Sequence, residues 1–113
     1  YDDSRIAGII TEETLKRHPD LRGVYLAASG AEAVCKVLKN HNLAGMVKVI
    51  SNDLTTKNEQ ELKHGVIQFL LGQDAYIQGY SPVMILFNKL FDGREPEKEL
   101  QYTEIVIKTK YNL

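Results

Sequence analysis

Hydrophobic positions along the chain alternate between helical and extended spacing. In "DDSRIAGIITEETLKRHPD" the residues Ile6, Ile10 and Leu15 recur near a helical period, Asp3 or Ser4 stands where a cap belongs, and Pro19 stops the run. An amphipathic helix is predicted there. "RGVYLAAS" follows as a short strand, and "GAEAVCKVLKNHN" sets Ala31, Val34, Val37 and Leu38 on one helical face. "MVKVIS" reads as a second strand, "TKNEQELKHG" as a short helix with Gly65 just past its end, and "VIQFLLG" as a third strand. The order α-β-α-β-α-β with compact connections predicts an α/β fold, a parallel sheet flanked by helices. No internal repeat, low-complexity run or Pro/Gly/Ser linker divides it.

After Gly72 the pattern changes. "YSPVMILFNKLFDG" predicts a helix with Pro82 in its first turn and Gly93 at its end. Val83, Met84, Ile85, Leu86, Phe87, Leu90 and Phe91 leave it little polar face, so it is expected to be buried on two sides. A final strand, "YTEIVIKTKY", comes after the turn "DGREPEKE". Three parallel strands with short helices do not cover both of these elements, and the first helix has no strand before it. The sequence therefore reads as a piece of something larger, with one sheet partly complete and a helix and strand that belong to a neighbouring lobe.

Composition adds mostly exclusions. With 113 residues, 43% hydrophobic and 26% charged, the chain fits one ordinary globular unit with one core. The formal net charge of -1 and pI near 6.3, with lysines scattered among glutamates, provide no basic stripe for a phosphate backbone or an anionic membrane. No run of eighteen apolar residues and no signal-type opening is present, although a chain that does not begin with Met leaves room for a leader or domain upstream. Cys35 is alone, which precludes an intrachain disulfide and leans towards a reducing compartment. His18, His41 and His64 have no i, i+4 partner or nearby cysteine, so no metal site is expected. "AASGAEAV" lacks both G-x-G-x-x-G and a Lys-Ser/Thr phosphate loop, and no Ser-His-Asp nucleophile setting is recognisable. Neither an enzyme nor a cofactor is expected.

Candidate chemistry follows from topology. In an open parallel sheet, ligands bind outside the carboxyl ends of the strands, where loops converge and helix N-termini aim free N–H groups at the crevice. Three segments reach that edge: Ala28-Ser29-Gly30, Asn52-Asp53 and Gln73-Asp74. Asp53 is open to two readings, as a cap for the helix beginning near Thr56 or as a carboxylate that grips a ligand. The Gln73 amide is both donor and acceptor, which suits a hydroxyl, though a loop role is open too. Asn52 serves a turn or a ligand. Tyr76 could stack on a ligand face or simply pack.

The succession "HPDLRGVYLAASGAEAVCKVLKNHN", "VKVISNDLT" and "GQDAYIQGYSPVMILFNKLFDG" resembles the carboxy-terminal half of the sugar-binding domain of the lactose-repressor (LacI) family and of periplasmic sugar-binding proteins of the same type I fold. The resemblance covers essentially the whole chain, and its most specific part is Gln73-Asp74, then Gln78-Gly79 and an apolar helix ending in Asp92-Gly93. It implies two α/β lobes joined by crossing strands, with a small molecule, usually a sugar, closed between them. Residues 1–72 would form most of the second lobe, Gln73 a crossover, helix 79–92 a part of the first lobe, and the last strand would return. It also implies that Asp53 accepts hydrogen bonds from adjacent sugar hydroxyls, with Gln73, Asn52 and Ser29 as further ligand contacts. Family members commonly carry an Asn-Asp pair after the first strand of this lobe. Here Ala27 and Ala28 stand there, followed by Ser29, so either the Ser29 hydroxyl substitutes in part or the ligand is smaller or less hydroxylated there. The function expected from the resemblance is the effector-binding module of a bacterial LacI-type transcription regulator. That protein would be a cytoplasmic homodimer that touches DNA only through a domain absent from this chain, and no membrane. The alternative is an exported sugar-binding protein of a transport or chemosensory system, periplasmic or extracellular.

Overall fold

A computed structural model of the chain describes residues 3–113. Asp2, which opens the first helical stretch, lies outside them. In chain order the elements are α1 (Ser4–Arg17), β1 (Gly23–Leu26), α2 (Ala31–Asn40), β2 (Lys48–Asn52), α3 (Thr56–Lys63), β3 (Phe69–Gln73), α4 (Ala75–Asp92) and β4 (Ile105–Lys108). The strands form one four-stranded sheet in the order β1-β2-β3-β4, and β1–β2 and β2–β3 pair parallel. The chain divides into two compact units, residues 3–72 with 107–113 and residues 73–106, with the division falling inside β4. No helix among the described residues is long and apolar enough to cross a membrane.

Local signals set the element ends. Asp3 caps α1, its side chain accepting from the Arg5 and Ile6 N–H groups. The end of α3 is a Schellman motif. Gly65 takes a left-handed φ of 75°, its N–H donates to Leu62 O, and the Val66 N–H donates to Glu61 O at 2.9 Å. That wrap explains why β3 starts at Phe69 and not at Val66: the Val66 and Ile67 N–H groups both turn back to Glu61 O. Gln68 then bridges the gap, its Oε1 accepting from the Val49 N–H and its Nε2 donating to Gly65 O.

The core of the first unit lies between one sheet face and its helices. Ala31, Val34, Cys35 and Leu38 of α2 and Leu62 of α3 meet Val49 of β2 and Leu70 of β3, with Val47, Val66 and Ile67 closing one end. Each fully buried leucine contributes about 1.5–3 kcal/mol by removal from water. Helix α1 packs on α2, with Ala7 and Leu15 half-buried against the cluster. Strand alternation puts Val49, Ser51, Leu70 and Gly72 on the covered face. The opposite face carries Tyr25, Ile50 and Phe69 in one cross-strand row, exposed at 58%, 36% and 44%. Parallel sheets bury both faces as a rule. Within these residues, this one buries one.

Gly72 serves a specific purpose in that core. It is buried in β3, and a Cβ there would overlap Cγ and Cδ1 of Leu54, the residue that follows Asp53. The absent side chain is the recess in which Leu54 sits.

In the second unit, α4 differs from the sequence expectation. It begins at Ala75, because the Asp74 side chain accepts from the Ile77 N–H at 2.9 Å and caps the helix there. Pro82 therefore lies in the helix interior and not in its first turn, leaving Gln78 O without its i+4 donor. Gly93 ends the helix at φ 66°, as its position suggested. None of α4 is buried within this chain, and Phe87 stacks on Phe91 along its exposed side. The final strand is shorter than its apolar run, spanning Ile105–Lys108 only.

Two outcomes follow from this packing. Gly72→Ala should destabilise the protein by about 1–3 kcal/mol through eviction of Leu54. In denaturant titrations, Leu54→Ala should absorb part of that loss, so the double variant falls short of the sum of the two singles. Cys35 is completely buried, and burial, with the Glu61 charge adding to it, pushes its thiol up to about 12. A disulfide reagent at pH 8 should therefore label Cys35 only as fast as the core opens, and rapid labelling of the native protein would show that α2 does not seal it.

Candidate functional site

Two strand-to-helix handovers meet at the carboxyl edge of the sheet. After β1 the chain runs through Ala27, Ala28 and Ser29 to Gly30, which begins α2 at φ 109° and gives it no side-chain cap. Only glycine fits there, since a Cβ would stand 2.8 Å from the Ala7 Cβ. After β2 the chain passes through Asp53, Leu54 and Thr55 into α3. Between the two loops lies a cleft of about 180 Å³, lined by Ala28, Ser29, Gly30 and Glu32 on one side and by Asn52, Asp53, Thr55, Lys57 and Asn58 on the other.

The capping reading of Asp53 is excluded. Thr55 caps α3, its Oγ1 accepting from the Asn58 N–H at 3.2 Å. Asp53 instead adopts a left-handed φ of 71°, a conformation Asp and Asn tolerate better than other side chains. Its backbone is held at both ends: the N–H donates to Leu71 O at 3.0 Å, and the carbonyl accepts from Asn58 Nδ2 at 3.0 Å. Its carboxylate is exposed and has no hydrogen bond or ion pair among the described residues.

The other candidates are placed differently. Asn52 is engaged within the fold: Nδ2 donates to Ala27 O at 2.9 Å, and Oδ1 accepts from the Tyr25 hydroxyl at 3.3 Å. It clamps the end of β2 to the loop after β1. Ser29 lines the cleft. Gln73 ends β3, belongs to the second unit and is not among the cleft residues; its Oε1 accepts from Gln78 Nε2, which also reaches Thr103 Oγ1 at 3.3 Å. Tyr76 stacks on Tyr80 with ring centres 5.7 Å apart. His41 pairs with Glu12 at 2.8 Å, while His18 and His64 sit at helix C-termini. Among the described residues no group of three His, Cys, Asp or Glu side chains could hold a metal ion.

Sequence reasoning missed two features. Glu32 and Lys57 form an ion pair of 2.7 Å at the mouth of the cleft, and the Lys57 hydrogen bond and charge, with Lys36 adding, hold the Glu32 carboxyl below its ordinary value. A lowered carboxyl stabilises the fold above its unfolded pKa and loses that contribution as pH falls through the folded value; both partners are exposed, so the effect is small. The second feature is Asn58, buried at 9% exposure, whose Nδ2 donates to both Asn52 O and Asp53 O. The signal for it was the spacing Thr55-x-x-Asn58, the register in which a third-position side chain reaches back across a helix start.

Residues 2–95 match the family described as the periplasmic binding protein domain, and the chain belongs to that family. Its fold is the type I architecture of periplasmic sugar-binding proteins and LacI-type regulators. The xylose/arabinose-binding protein XylF of Sulfolobus acidocaldarius is 26% identical over 82 residues, which are 67% of this chain and 20% of that protein. A solute binding protein of an ABC transporter from Burkholderia graminis, solved in complex with D-arabinose, superposes with a TM-score of 0.87 at 28% identity, over 98% of this chain and 39% of its own. A putative LacI transcriptional regulator from Bacteroides fragilis superposes with a TM-score of 0.83 at 24% identity, over 93% of this chain and 36% of its own, a likeness in fold alone. The chain thus spans well under half the length of each of these three proteins.

The backbone at Asp53 makes a stability prediction. Asp53→Asn should melt within about a degree of the parent, because Asn tolerates the same left-handed conformation. Asp53→Ala should cost about 1–2 kcal/mol, a strain penalty and not a lost cap. Thr55→Ala should cost about 1 kcal/mol. Denaturant melts of the three variants check this, and a Thr55→Ala variant as stable as the parent would take the cap of α3 away from Thr55.

Proposed function

We propose that the protein carrying this chain binds a sugar and serves as the exported solute-binding component of a transport or chemosensory system. The observation that carries the proposal is the Asp53 carboxylate, held by its backbone at the carboxyl edge of a parallel sheet with no partner for its oxygens among the described residues, in a member of the periplasmic binding protein domain family. Such an acceptor takes hydrogen bonds from two adjacent hydroxyls, and charge-assisted bonds are the stronger kind. The cleft volume of about 180 Å³ falls below the roughly 300–1,000 Å³ of a complete small-molecule site, so this wall is one side of a larger cavity. In this proposal residues 1–72 form most of the second lobe, Gln73 lies at a crossover, and α4 contributes to the first lobe. No catalytic step is assigned.

The names of the relatives support sugar binding and, in one case, transport: XylF is called a xylose/arabinose-binding protein, and the Burkholderia protein an ABC transporter solute binding protein. The regulator reading, a cytoplasmic homodimer with a separate DNA-binding domain, rests on the Bacteroides likeness in fold.

Calorimetric titration of the full-length protein with D-xylose, L- and D-arabinose, D-glucose and D-galactose tests the proposal. One of these should bind in the micromolar range or tighter, and at a hundredfold excess over Kd it should stabilise the fold by about 2.7 kcal/mol. Asp53→Asn should weaken that binding by about ten- to a hundredfold. The absence of both heat and a melting shift with every sugar would overturn the sugar reading. Sequence-specific retardation of DNA by the full-length protein, relieved or strengthened by the sugar, would replace transport with regulation.

A further inference from the structure

We propose that Asn58 is a positioning residue for the Asp53 carboxylate, an inference that rests on the binding role proposed for Asp53. Asn58 sits in the first turn of α3, buried, with its N–H bound to the Thr55 cap. Its Nδ2 carries two hydrogens and meets two carbonyls, Asn52 O at 3.3 Å and Asp53 O at 3.0 Å. One buried amide therefore fixes the orientation of two consecutive peptide planes, those on either side of the left-handed Asp53 α-carbon. With the Asp53 N–H tied to Leu71 O, the backbone is held on both sides of that residue, and with it the direction in which the side chain leaves the chain at the edge of the cleft. Neither a packing role nor a capping role accounts for this arrangement, since Thr55 already caps the helix and the two Nδ2 bonds lead away from α3. Asn58 thus fixes in advance the geometry that a hydroxyl pair must meet, and the ordering cost is met in folding and not at binding.

The test uses the full-length protein, with D-xylose, L- and D-arabinose, D-glucose and D-galactose as probes and amide hydrogen exchange as a readout that needs no sugar. Asn58→Ala removes both donors. Asn58→Asp keeps the size and is tolerated at a helix N-terminus, so it serves if the alanine variant folds poorly. Gly65→Ala is the control that weakens the same helix at its other end, outside the cleft and without touching either carbonyl. Both Asn58 variants should lose about tenfold or more in affinity for the sugar that binds, while Gly65→Ala loses less than about threefold. In an Asp53→Asn background the Asn58→Ala loss should shrink to less than about twofold, because the residue acts through that carboxylate. The Asp53 amide should exchange about tenfold faster in Asn58→Ala relative to the Val49 amide, and unchanged in Gly65→Ala. Asn58 variants that bind like Gly65→Ala, or losses that simply add in the Asp53→Asn background, overturn the proposal. A parent protein that takes none of the five sugars overturns the function proposed above, and unchanged protection at Asp53 then overturns the positioning role by itself.

Discussion

Parallel pairing is the constraint on which the rest depends. Because β1, β2 and β3 run the same way, each connection must leave from one edge, cross the sheet as a helix and re-enter at the other. The register Tyr25↔Ile50↔Phe69 then makes the ends of the strands coincide. The helices α2 and α3 must cover the Val49 and Leu70 face, which fixes where Val34, Leu38 and Leu62 point. The two handover loops are brought to a common edge as a by-product of core formation. The core thus decides where the polar chemistry can be, before any polar residue is chosen.

What is chosen at that edge is a loop fastened everywhere except at one side chain. Leu54 fills the recess left by Gly72, Thr55 starts the next helix, Asn58 holds two carbonyls, and the Asp53 N–H reaches β3. An exposed carboxylate is well solvated and costs little while the cleft is open. In the proposed two-lobed protein, closing a second wall over it would strip that water, and an acceptor left unpaired in a desolvated site costs about 1–3 kcal/mol or more. Such closure would be favourable only if the enclosed molecule supplied donors. The same unpaired group that makes the open state cheap makes the empty closed state expensive, which is the differential needed to couple ligand to conformation.

Much of this was legible in the sequence because it depends on local grammar. The helical and extended periods located three strands and three helices, Gly65 marked the end of α3, and alternation with compact connections implied the parallel sheet. The assignments that went astray are those in which two residues compete for one role. Asp53 and Thr55 are both good caps, and only the left-handed φ at Asp53 removes it from contention. Asp74 starts α4 well before the tyrosine-serine-proline run that resembled a helix start, so Pro82 ends up in the interior. Val66 and Ile67 are as strand-like as their neighbours, but their N–H groups are consumed by the Schellman turn. The spacing Thr55-x-x-Asn58 marks a helix start but not what Asn58 holds, because its partners are backbone carbonyls, which sequence does not display.

The wall around Asp53 also limits what it can recognise. Ala27 and Ala28 offer no side-chain donors or acceptors, and Ala27 O is occupied by the Asn52 amide. The Asn52 carbonyl already accepts from Ser51 Oγ and Asn58 Nδ2, and Lys57 is paired with Glu32. Polar capacity on this side of the cleft therefore concentrates in the Asp53 carboxylate and the uncapped start of α2. One carboxylate can address two adjacent hydroxyls, but it cannot satisfy a ring of four. In the function proposed above, a sugar seated here would have to direct a vicinal pair at Asp53 and turn an apolar edge, or a position lacking a hydroxyl, towards Ala28. A hydroxyl facing Ala28 would be desolvated without a partner, and discrimination against it would come from that unmade bond and not from any contact the protein makes.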